Sequence, residues 1–345
     1  MDVVRFEKVR LLGLSRVDAP IAVSSEAVEE RLAPAMTRAG YSPGLLYQLT
    51  GIRERRLWRR GVTPSQAAAK AGHCVLQESG VAPEQIGVMV STSVGKDFIE
   101  PSVASLVHHR LGLSSRCLNF DIGNACLGFI NGIQVVGDMI ERGLVDYGMV
   151  VNGESSREVL DATVQRLNES DDGEAKIREE LATLTLGSGA AAAVLGAEKG
   201  PHVGPRVRPK VVGAVTRAAT EHNGLCRGQR TWMKTDAAQL LVQGLALAEE
   251  TFEAAREYLG WDEGALDHVA AHQVSATHTA RVAERLGLDE GRFCKIFGEY
   301  GNVGPASIPI AVTRMVDEGR IGPGDRVGLM GIGSGLNCSM MELQW

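Results

Sequence analysis

Two stretches of the chain, ACLGFINGIQVVGDMIERG (residues 125–143) and GNVGPASIPIAVTRMVDEG (residues 301–319), carry apolar residues at helical spacing. A shift of 176 positions lays one on the other, matching Gly128 to Gly304, Met139 to Met315 and Gly143 to Gly319. Each is followed by a β-like run, YGMVVNG (147–153) and RVGLMGI (326–332). A further echo links LLGLSRVDA (11–19) to VVGAVTRAA (211–219). The pattern predicts two copies of one α/β half, 1–198 and 199–345, joined at the Pro/Gly-rich connector KGPHVGPRVRPK (199–210).

Between these landmarks strands and helices alternate. Residues 3–15 read as a strand and 24–40 as a helix, with Ser24 or Ser25 as N-cap and Glu26, Glu29 and Glu30 near the positive end of its dipole. A helix follows over 65–79 behind Pro64, then strands at 87–94 and 117–123 around a short helix at 102–111. In the second half a helix covers 236–259, and DHVAAHQVS (267–275) is a strand leading into another helix. FCKIFG (293–298) and RVGLMGIG flank the second repeated helix as strands, and LNCSMMELQW closes the chain as a last one. Segments at about 24–62 and 155–183 stand outside the repeated core as cap and insertion. Strands and helices alternating in duplicate imply a layered α/β fold.

Composition adds exclusions. With 345 residues, 44% hydrophobic and 23% charged, the chain can bury a core without staples. A formal net charge of −6 argues against a nucleic-acid partner. Six scattered cysteines form neither a zinc pattern nor a disulfide framework, which suits a reducing cytoplasm. No apolar run is long enough to span a membrane, and the N-terminus has the pattern of a first strand rather than of a signal peptide.

The chemistry lies at the heads of the repeated helices, where Cys126 in one copy answers to Asn302 in the other. A helix N-terminus offers unpaired N–H groups and partial positive charge, which favour a thiolate and can hold an oxyanion. Taken alone, Cys126 also fits a buried core cysteine, His272 a satisfied core histidine and Asn302 a helix cap. The glycine-rich GIGSGLN (331–337) lacks the spacing and following helix of a nucleotide fingerprint.

ACLGF at Cys126, HQVS at His272 and GNVGPAS at Asn302 occur in an order that resembles the ketoacyl synthase III branch of the thiolase superfamily, almost end to end. GKDFIEPSVAS (95–105), LCRG (225–228), FGEYGNVGPASIPI (297–310) and GIGSGLNCSM (331–340) are similar to its OleA-type family, which joins two fatty acyl-CoA molecules head to head in olefinic hydrocarbon biosynthesis. The resemblance implies a thiolase-like αβαβα fold and a cytoplasmic homodimer acting on long-chain acyl-CoAs, with no cofactor beyond the substrates' own CoA. Downstream pathway enzymes would take the product.

It also implies roles. Cys126 would carry the acyl group, with its own amide and that of Ser334 holding the oxyanion. His272 and Asn302 would donate to the enolate oxygen of the second thioester. Glu100 would be the base that makes the enolate, its pKa raised in an apolar pocket, reaching in from the partner subunit. By itself Glu100 also fits a carboxylate near the helix starting after Ser102. Leu45 and Leu49 stand where ketoacyl synthase III enzymes grip CoA with tryptophan and arginine, and Ser188 where many relatives have aspartate, a change expected to affect packing. The cluster Arg53, Arg55, Arg56, Arg59 and Arg60 either meets CoA phosphates or forms a solvated face. The other functions open at this point are decarboxylative condensation with malonyl-acyl carrier protein, a non-catalytic partner of a heteromeric pair, and a cysteine hydrolase.

Overall fold

The computed structural model describes residues 3–171, 173–198 and 208–345; most of the 199–210 connector lies outside them. Among these residues ten strands form one mixed sheet. From edge to edge the strands are 268–271, 326–333, 337–344, 210–218, 9–18, 189–197, 147–154, 86–91 and 118–121, with 3–5 added on 210–218. The two central strands touch through one antiparallel pair, Arg10 opposite Lys210.

Outward from that seam both flanks follow one rule. Each central strand has an antiparallel neighbour (189–197, 337–344), then a second antiparallel one (147–154, 326–333), then a parallel one (86–91, 268–271). The next parallel position holds the full strand Leu118–Asp121 on one side and only the bridge between Val269 and Phe293 on the other.

Helices Gly128–Glu141 and Ser307–Asp317 fill the space between the flanks. Phe129, Ile130, Ile133 and Val136 join Ile308, Ile310, Val312 and Met315 in one buried cluster with Val88, Val150, Val327 and Met341. Alternation along 190–195 sends Ala191, Ala193 and Leu195 into this cluster, and Ala190, Ala192 and Val194 into the one under helices 64–79 and 103–111. Helices 237–259 and 276–286 cover the outer face of the second flank. The fold is thus α/β, with duplicated halves in five αβαβα layers.

Local chemistry sets the boundaries. The expected 24–40 helix breaks into Ser25–Arg31 and Ala33–Arg38, because Pro34 has no N–H to continue the ladder. Ser24 is its cap, accepting from the Ala27 amide. Thr63 and Gln66 form a capping box ahead of Pro64–Ser79. FCKIFG is not a strand: Gln273 Oε1 accepts from Ile296 and Phe297 amides, and its Nε2 donates to the Cys294 carbonyl. The side chain takes the bonds that a ladder would have used, and a short helix, Phe297–Tyr300, follows. Hairpin 226–235 and the pairing of 21–24 with 54–57 were not legible in the periodicity.

Candidate active site

Both repeated helices are entered through a left-handed residue. Ala125 has φ 44° and Gly301 φ 68°, and Cys126 and Asn302 come directly after them. For alanine that conformation is strained, so the packing around it must hold it there. Gly128 permits the approach: a Cβ on it would lie 2.8 Å from the Thr92 carbonyl oxygen. The turn Ala125–Leu127 packs on the turn Gly304–Ala306 and on strand Arg326–Gly333. The two heads therefore meet at the seam between the halves.

Asn302 is buried and tied by its backbone to the first half: its N–H donates to the Thr185 carbonyl (2.8 Å) and its carbonyl accepts from Gly187 N–H (2.8 Å). Its Oδ1 accepts from the Gly304 amide at 3.0 Å, which leaves Nδ2 as the donating end. His272 follows strand His268–Ala271, and its amide donates to the Met330 carbonyl at 2.8 Å. The buried ring shares a hydrogen bond with the Gly304 backbone, and its Nδ1 has no protein partner. Burial, with His278 beside it, lowers the His272 pKa to about 3, so the imidazole is neutral, with one N–H donor and one unprotonated nitrogen.

Ser334 lies in the tight turn between strands Arg326–Gly333 and Asn337–Gln344. A Cβ on the neighbouring Gly333 would lie 3.5 Å from the Cys126 amide nitrogen. Through Gly304 and Gly333 the structure thus brings the segments bearing Cys126, His272, Asn302 and Ser334 to one place.

Glu100 is not among them. It is exposed on the loop after strand 86–91, so the apolar pocket expected around it does not exist within one chain. Its neighbours are conspicuous instead: Ile99 is 96% exposed, Phe98 58% and Val94 55%. The root of this loop is fixed by Asp97, which accepts from the Ser65 amide and hydroxyl, and by Glu154.

The sequence leads one to expect a thiolate at this helix head, but helix-head polarity does not by itself ionise Cys126. Burial, with Cys226 and Glu154 adding to it, pushes the Cys126 thiol up to about 12. Desolvation exceeds the pull of the helix head, so the sulfur is held as a thiol.

Glu154 was missed in the sequence. It ends the apolar strand Tyr147–Glu154 and is almost fully buried. Its carboxylate accepts from Val94 N (2.9 Å), Gly95 N (3.4 Å) and Asn152 Nδ2 (3.1 Å), and lies against Gly304. Burial outweighs these bonds and raises its pKa to about 7. The available signal was Asn152 and Glu154 interrupting an apolar strand at its carboxyl end.

The arginine cluster divides. Arg55 is buried and donates to Val23 and Leu184 carbonyls and Ser25 Oγ, while Arg53, Arg56 and Arg60 pair with Glu299, Glu54 and Asp161. Leu49 is exposed and Leu45 packs on the cap's core. Ser188 is buried and bonds to Ser156 ahead of helix Arg157–Glu169. All six cysteines are free, and among the described residues no cluster of metal-ligand side chains occurs and no helix is long and apolar enough to cross a membrane.

Against known proteins, residues 120–206 match the family described as 3-oxoacyl-acyl-carrier-protein synthase III, and 257–345 its C-terminal part. The acyl-CoA:acyl-CoA alkyltransferase of Xanthomonas campestris is 45% identical over 340 residues, covering 99% of both chains. That of Shewanella oneidensis is 35% identical, covering 99% of this chain and all of its own. A beta-ketoacyl-acyl-carrier-protein synthase III of Symbiobacterium thermophilum is 29% identical over 86% of this chain and 88% of its own. The crystal structure of cerulenin-bound Xanthomonas OleA superposes with a TM-score of 0.94 at 44% identity, covering 99% of this chain and 98% of that one. Structures of the same protein with one glutamate, histidine or cysteine substituted superpose with TM-scores of 0.93 to 0.95.

Proposed function

The chain belongs to the acyl-CoA:acyl-CoA alkyltransferase family, and from that premise we propose how its residues divide the reaction. It is an acyltransferase that condenses two fatty acyl-CoA molecules without decarboxylation. The observation that carries the reading is the convergence of Cys126, His272 and Asn302 at the seam of the two halves.

In the first step the Cys126 sulfur attacks the thioester carbonyl while neutral His272 takes the thiol proton. The tetrahedral oxyanion is held by the amides of Cys126 and Ser334. Collapse expels CoA, which leaves with the proton from His272, and the acyl group stays on sulfur. The second acyl-CoA then binds with its carbonyl oxygen at a His272 N–H and at Asn302 Nδ2. Glu100 of the partner subunit removes the α-proton, and the enolate carbon attacks the acyl-cysteine carbonyl. Cys126 is expelled as thiolate and takes up the proton held by Glu100, leaving a 2-alkyl-3-oxoacyl-CoA, which water hydrolyses to the β-keto acid with release of the second CoA. No step asks for a cofactor beyond the substrates' CoA.

A homodimer is supported by what one chain leaves bare. Strand Leu118–Asp121 is a sheet edge with Leu118 52% exposed, and the loop with Val94, Phe98 and Ile99 is a second uncovered apolar surface. Glu100 has no site of its own in the chain, which fits delivery across such an interface. We place the enzyme in the cytoplasm, where its six thiols stay reduced.

Tetradecanoyl-CoA as sole substrate yields the β-keto acid and its derived ketone on this reading. Product that forms only when malonyl-acyl carrier protein is added would instead support decarboxylative condensation, the alternative favoured by the synthase III family matches. Mixed dimers of Glu100→Ala and Cys126→Ala chains regain activity when the base acts across the interface, because one of their two sites is then complete. Permanent inactivity of the mixture would place the base within its own chain.

A further inference from the structure

A chain of side-chain amides runs beside the site and takes no part in the reaction above. Asn337 Nδ2 donates to Asn124 Oδ1 (3.2 Å), Asn124 Nδ2 to Asn131 Oδ1 (2.7 Å), and Asn131 Nδ2 to Ser339 Oγ (3.4 Å). Ser339 Oγ bonds in turn to Thr216 Oγ1 at 2.7 Å, on the neighbouring strand.

The placement of the four residues matters. Asn337 and Ser339 are two apart on strand Asn337–Gln344, so they point from the same face. Asn124 precedes the strained Ala125, and Asn131 lies seven residues on, in the first turn of helix Gly128–Glu141. The strand therefore grips the Cys126 head at two points, like a clasp. The turn bearing Ser334 springs from one end of the clasp, since Gly333 and Asn337 are the last pair of its hairpin. Gly333 lies against both ends of the nucleophile turn: a Cβ there would be 3.5 Å from the Asn124 carbonyl oxygen and 3.5 Å from the Cys126 amide.

We propose that Asn124, Asn131 and Asn337 are positioning residues that fix the separation between the Cys126 and Ser334 amides, and so the geometry of the oxyanion site. The proposal rests on the reading that those two amides hold the oxyanion. Among the described residues no other side-chain hydrogen bond fastens the turn sideways to the Cys126 head, and a donor displaced by an ångström loses much of its effect on a developing charge.

The test is single-turnover acylation of the full-length enzyme with tetradecanoyl-CoA, read as first CoA released and as acyl adduct on Cys126 by mass spectrometry. Asn124→Leu and Asn337→Leu are expected to slow acylation about 10- to 100-fold with KM little changed and the thermal midpoint nearly kept. Asn124→Asp should stay within about three-fold of wild type. Its carboxylate accepts from Asn337, and also from Asn131 once that amide turns over and accepts from Ser339. If a leucine variant fails to fold, Asn337→Ser, whose hydroxyl is too short to reach Asn124, takes its place. Leucine variants that acylate at the wild-type rate would overturn the clasp, as would an Asn124→Asp enzyme as slow as Asn124→Leu. A wild-type enzyme with no adduct on Cys126 would sink the nucleophile reading itself, a separate result.

Discussion

The heads of the two repeated helices share a framework and differ in chemistry. Helices Gly128–Glu141 and Ser307–Asp317 end at equivalent positions and stop through left-handed glycines, Gly143 (φ 71°) and Gly319 (φ 64°). Both begin after a left-handed residue. In the second copy that residue is Gly301, where a Cβ would lie 2.6 Å from the Thr185 carbonyl oxygen. In the first it is Ala125, whose Cβ is accommodated at φ 44°. Strain thus sits at the sulfur-bearing head, while the amide-bearing head is pinned by backbone bonds to Thr185 and Gly187. A duplicated scaffold supplies two helix heads, and the proposed mechanism gives them different tasks: a covalent bond at one, the holding of a negative oxygen at the other.

The largest expected break in that comparison is Cys126→Ala, which should lower condensation by about 10⁴-fold or more and abolish the acyl adduct. Asn302→Ala should cost about 10²- to 10³-fold in product, yet leave the adduct on Cys126. Mass spectrometry beside product analysis separates the two heads, and loss of the adduct in Asn302→Ala would merge them.

Glu154 packs against Gly304 at the second head, and its charge acts on Cys126 at the first. Its pKa is raised to about 7 in the fold, so its protonated form is the favoured one there. Its contribution to stability is then complete below its unfolded value of about 4.5 and fades as pH rises through about 7. Relative to Glu154→Gln, the wild type should lose about 3 kcal/mol of stability across that window. Denaturant midpoints at pH 4.5 and 8 measure it, and a parallel pair of curves refutes it.

The smallest effects probe the two left-handed residues. Gly301→Ala should destabilise by about 2 to 3 kcal/mol, through φ and the clash with Thr185. Ala125→Gly should stabilise by about 1 kcal/mol while slowing acylation. Melting curves of both variants sharpen the contrast; equal shifts of one sign would remove it.

Much of this is legible in the amino-acid sequence alone. The apolar periods of 125–143 and 301–319 marked the helices, and the 176-residue shift paired Cys126 with Asn302. Caps at Ser24, Thr63 and Asp236 follow local rules and fall beside the expected boundaries. FCKIFG failed because its β-like composition says nothing of Gln273, twenty residues away, which claims its backbone bonds. Arg55 was hidden in a run of arginines, although it alone of that run is fully buried and bonded to carbonyls, its pKa lowered to about 10 by burial.

By itself the sequence determined the duplication, the helix heads and the residue types placed on them, because periodicity, capping and repeat are properties of neighbours along the chain. Only the tertiary structure decided that burial keeps the Cys126 sulfur a protonated thiol, that the Glu154 carboxyl is buried against Gly304 with a pKa near 7, and that Glu100 is exposed to solvent in its own chain. Those are consequences of desolvation and of which surfaces close over each other, and both depend on atoms brought together from far apart in the sequence.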